Sequence, residues 1–65
     1  MNNLQLEIKR NCNRYGIPAA DVAAVIGKSE SQTRMLLRTG NIRYADLIKI
    51  SDYLRFDDRQ KAVLL

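Results

Sequence analysis

The 65-residue chain contains no histidine and no tryptophan, a single cysteine and a single proline. Without histidine it lacks the commonest general base and metal ligand. One cysteine, Cys12, cannot form an intramolecular disulfide or build a zinc site, and fits a reducing compartment. No glycine-rich phosphate loop is present, and no two acids are spaced like a catalytic pair on one helix face. Asp57 and Asp58 are adjacent and read as helix-start residues, while Ser29 and Ser31 have no base to activate them. Cys12 falls on an apolar stripe, the setting of a structural thiol. The expectation is a protein that is not an enzyme and uses no cofactor or metal. No apolar run approaches the roughly 18 residues of a membrane span, and the opening MNNLQLEIKR has no apolar signal core, which predicts a soluble, cytoplasmic protein.

What is present is positive charge in one place. Net charge is +4, and residues 28–43 hold Lys28, Arg34, Arg38 and Arg43 against Glu30 alone, a balance of +3. The first 27 residues carry +1 and the last 22 cancel. A cationic segment within a near-neutral chain predicts an anionic partner there, nucleic acid first. Lys9, Arg10 and Arg14 on the first helix read as solubilising charge.

Apolar residues recur at helical spacing throughout. Leu4, Ile8, Cys12 and Tyr15 share a face of a first helix ended by Gly16. Pro18 restarts the chain, and Ala19, Val22, Ala23 and Ile26 make a short second helix, over 18–26, closed by Gly27. Ser29 and Gln32 have the form of a capping box opening a third helix over 30–39, with Gly40 after it. Its turn of 100° per residue groups Thr33, Leu36 and Leu37 toward the core and Ser31, Arg34, Met35 and Arg38 away from it, with Gln32 at the edge. Glu30 falls on the flank, where a first-turn carboxylate suits the helix dipole. Tyr44, Leu47, Ile50, Ser51 and Leu54 line one face of a fourth helix, and small Ser51 predicts a close helix neighbour. Asp57 and Gln60 form a second capping box, with Phe56 before it, opening a last helix that runs to Ala62-Val63-Leu64-Leu65. The predicted fold is an all-α, compact five-helix bundle, a single domain over 1–65 with a helix-turn-helix in helices two and three.

A tight turn at Gly27-Lys28, with small Ala23 four residues before the glycine, lets two helices cross closely and project the second as a rod of major-groove width. The segment PAADVAAVIGKSESQTRMLLRTGNIRYADLIKISDYL resembles the lambda-repressor-like, Cro-type helix-turn-helix family. Ala23, Gly27, Ser29, Leu36, Gly40 and the run Leu47-Ile48-x-Ile50-Ser51-x-x-Leu54 carry the resemblance, which spans about residues 4–56. It implies a bacterial or phage transcription regulator that binds operator DNA as a dimer. On that reading Ser31, Gln32, Arg34, Met35 and Arg38 read base edges. Lys28, Ser29, Thr39, Asn41 and Arg43 contact phosphates. Val63, Leu64 and Leu65 form a homodimer contact. Ala19 stands where the family often has a phosphate-clamping glutamine. That absence, with Met35 and Glu30, leaves open a protein-binding module on the same fold, such as an antirepressor occupying another repressor protein.

Overall fold

The computed structural model describes residues 3–62, which form helices α1 (Asn3–Tyr15), α2 (Ala19–Ile26), α3 (Glu30–Thr39), α4 (Tyr44–Tyr53) and α5 (Asp58–Lys61). No strand occurs among the described residues, and the all-α, five-helix architecture is as the sequence predicts. Val63, Leu64 and Leu65 lie outside the described residues.

Helix α2 is the hub, packing against both α3 and α4, while α1 reaches α3. Buried Ile8, Val22, Ile26, Ile50, Leu54 and Phe56 form the core, with Leu36 and Leu37 packed partly against it. Each fully buried Leu or Ile contributes about 1.5–3 kcal/mol of transfer free energy. Thr33 is wholly buried on the inner face of α3, as its spacing predicts. Its hydroxyl donates to the Ser29 carbonyl at 2.9 Å, so a polar side chain enters the core with its donor satisfied. Ser51 is buried as well, its Oγ donating to the Ile48 carbonyl at 2.9 Å.

The turn between α2 and α3 depends on Gly27, whose φ of +68° lies in the left-handed region. There Lys28 N–H donates to the Ala23 carbonyl at 3.1 Å and Gly27 N–H to the Ala24 carbonyl at 3.4 Å. These two bonds define a Schellman closure, which satisfies orphan carbonyls and reverses the chain at once. Helix α4 ends by the same device without a glycine. Arg55 takes φ +59°, and Phe56 N–H donates to the Ser51 carbonyl at 3.0 Å. A left-handed conformation costs an L-residue about 1–2 kcal/mol. The Arg55 guanidinium lies 5.2 Å from the Tyr15 ring centroid, a cation–π contact that offsets part of that cost.

Four side chains depart from the periodic reading. Tyr15 and Tyr44, placed by spacing on apolar faces, are exposed, whereas Glu7 and Asn11 on α1 are buried. Tyr15 is the last residue of α1, beyond the reach of the core, and its ring serves Arg55 instead. Tyr44 opens α4, where buried Asp46 takes an inward place in the first turn. Glu7 and Asn11 belong to a polar seam with α5. Gln60 Nε2 donates to Glu7 Oε2 and to Asn11 Oδ1, both at 2.7 Å. Asn11 Nδ2 donates to the Leu54 carbonyl at 2.8 Å and to Gln60 Oε1 at 3.1 Å. Arg10 closes on Glu7 at 2.8 Å, and Arg59 stands 3.6 Å from it.

Candidate nucleic-acid interface

Helix α3 is started by the capping box its sequence announces. Gln32 N–H donates to Ser29 Oγ at 3.1 Å, and Ser29 N–H donates to Gln32 Oε1 at 3.2 Å. The Ser29 hydroxyl also points at Gln32 Oε1, at 3.2 Å. The amide oxygen of Gln32 is thereby engaged and its NH₂ group remains. A bidentate adenine contact needs both an acceptor and a donor from the glutamine, so the cap and that contact compete for one oxygen.

Beyond the cap the outward residues come together as the wheel places them. Ser31, Arg34, Met35 and Arg38 are all exposed and line one shallow depression along α3. Lys28, Ser31, Gln32, Met35 and Leu36 line a second, so Ser31 and Met35 border both. Met35 is 58% exposed, high for an apolar side chain on a helix with a buried face. Lys28 is half-buried at the near end of this surface.

The basic side chains are not equivalent. Arg34 Nη2 lies 2.8 Å from Glu30 Oε1, one turn earlier on the same helix. Glu30, on the flank, is therefore paired with the arginine one turn along. Residues four apart differ by only about 40° around a helix, so a first-turn carboxylate reaches the guanidinium of the next turn. Arg43 Nε approaches the buried Asp46 carboxylate at 3.9 Å, while most of its side chain stays in solvent. Lys28 and Arg38 have no ion pair among the described residues.

Of the residues assigned to phosphate contact, Ser29 is engaged in the cap. Thr39 closes the other end of α3: its hydroxyl donates to the Met35 carbonyl at 3.0 Å and accepts from Asn41 N–H at 3.3 Å. Asn41 is exposed in the connection after Gly40. That same end is held from outside by Gln5 of α1, whose Nε2 donates to the Leu37 and Arg38 carbonyls. Nothing local in the sequence marks Gln5, because its partners lie 32 and 33 residues away. The Glu30–Arg34 contact, by contrast, was readable from the four-residue spacing alone.

Outside this surface, burial pushes the Cys12 thiol up from its usual range, which disfavours the reactive thiolate. No group of three or more metal-ligating side chains is gathered among the described residues, and no helix there is long and apolar enough to cross a membrane. Comparisons with protein-family models, with curated proteins and with solved structures give no match.

Proposed function

We propose that this chain is a sequence-specific double-stranded DNA-binding regulator of transcription, with α3 entering the major groove. One observation carries the reading. The outward strip of Ser31, Arg34, Met35 and Arg38 is exposed on a ten-residue helix held against α2 by a tight Gly27 turn, within the segment of highest positive charge. A helix so mounted fits a groove about 12 Å wide, and arginine is the residue best suited to guanine O6 and N7. Arg38 and Lys28, with no internal ion pair, supply the non-specific attraction to phosphate. A single domain of this size offers a small interface, so the working unit is a homodimer. Its half-sites are one helical turn, about 34–36 Å, apart.

The exposed Met35 favours a second reading, a protein-binding module that occupies another repressor protein. Binding to duplex DNA measured across a salt series separates the two. A DNA reader loses affinity steeply, with a log–log slope of about −0.9 for each phosphate neutralised. Absence of any duplex binding at low salt overturns the DNA reading and favours the protein-binding module. Selection from random duplexes then gives the site, and an enriched palindrome supports the dimer.

A further inference from the structure

The Glu30–Arg34 contact joins opposite charges at the edge of a surface that otherwise gathers positive charge. Resting on the DNA-reading function above, we propose that Glu30 is a specificity-determining residue: it steers Arg34 away from phosphate and toward a guanine, and accepts from the amino group of a neighbouring cytosine.

The geometry supports this in three ways. First, the pair is exposed, with side-chain accessibilities of 68% for Arg34 and 50% for Glu30, so both groups are open to a partner that reaches the flank of α3. Exposed pairs of this kind contribute little to stability. Second, the contact leaves both partners with capacity. A guanidinium has five N–H donors, and only Nη2 is engaged here. Glu30 uses Oε1, and Oε2 makes no hydrogen bond among the described residues. The pair therefore presents unused donors beside an unused acceptor. Third, that combination discriminates between ligands of different charge. A phosphate reaching for Arg34 meets a carboxylate 2.8 Å from the guanidinium and is repelled by it. A guanine edge is neutral and offers two acceptors, and the cytosine N4 amino group offers the donor that a carboxylate needs. Arg38, without such a partner, carries no equivalent bias.

Glu30 also sits in the first turn of α3, where a negative charge favours the helix. Glu30→Asp keeps that charge on a side chain one carbon shorter, which withdraws the carboxylate from Arg34; Glu30→Gln removes the charge and keeps the length. The experiment selects bound sequences from random duplexes with the wild type and both variants. It then follows binding to the wild-type site and to an unrelated duplex across a salt series, with helicity checked by circular dichroism. The wild type is expected to enrich neighbouring guanine and cytosine within each half-site. Both variants are expected to lose about ten-fold or more of the discrimination at the cytosine position. Glu30→Gln also binds the unrelated duplex more tightly, with a slope steeper by about 0.9, as Arg34 becomes available to phosphate. If both variants select the wild-type sequence with an unchanged slope, or if Glu30→Asp behaves as wild type, Glu30 only starts the helix and the proposal falls. A wild type that binds no duplex at low salt overturns the DNA-reading function itself. A wild type that binds while the variants select the same sequence overturns only the role of Glu30.

Discussion

Gln32 and Gln60 hold the same position in two capping boxes, three residues after Ser29 and Asp57, and their surroundings could hardly differ more. Gln32 is exposed at the start of α3. Gln60 is buried, and its amide bonds Asp57, Asn11 and Glu7. The same contrast runs through their neighbours. Glu7 is buried beside Arg10 and Arg59, whereas Glu30 meets Arg34 in solvent. The seam between α1 and α5 uses polar groups to satisfy one another; the face of α3 leaves capacity over. Polar residues of one type thus specify the fold in one place and stay open to solvent in another. Burial decides which.

Breaking the seam is expected to have the largest effect. Gln60→Ala leaves Glu7 and Asn11 buried without their main partner and costs about 2–4 kcal/mol in urea denaturation. Gln32→Ala, an exposed change at the corresponding position, costs about 0.5–1 kcal/mol. Equal losses would erase the distinction. On the other side, Arg34→Ala lowers discrimination at the selected site by about 1–3 kcal/mol and leaves stability nearly unchanged. Arg10→Ala, in the seam, leaves DNA affinity intact. Competition titration against an unrelated duplex reads both. Gly27→Ala tests the mounting between the two regions. An added Cβ meets nothing within 4 Å, so the cost is conformational, about 1–2 kcal/mol, seen as a fall in thermal midpoint. The smallest effect belongs to Cys12, which lines the groove where α1 meets α3. The folded thiol holds its proton to higher pH than the unfolded one. Its contribution is intact below the ordinary thiol value of 9.0 and is lost as pH rises through the folded value. Slower alkylation of native than of urea-unfolded protein near neutral pH checks it.

The outward face of α3 and the seam also differ in how far the sequence discloses them. Helix limits, both capping boxes, the Gly27 turn and the burial of Thr33 follow from interactions within four or five residues, and such interactions leave a local signature. The outward set of Ser31, Arg34, Met35 and Arg38 follows from the same periodicity. Burial of Glu7 and Asn11 does not, because Gln60 lies 53 and 49 residues beyond them and periodicity assigns polar residues to solvent. Arg55 at positive φ is hidden for a similar reason. Its compensation comes from Tyr15, forty positions earlier, on a helix it meets only in the fold.

Helix α5 has four residues, too few to persist as an isolated helix in water. It is held by side chains of α1, 49 and 53 residues earlier in the chain. Until residue 60 leaves the ribosome, Glu7 Oε2 and Asn11 Oδ1 lack the Gln60 amide that donates to them, and the seam is incomplete. The domain therefore becomes stable late in its own synthesis, as a unit. A chain that stops short of Gln60 lacks this closure and is left more open to proteolysis.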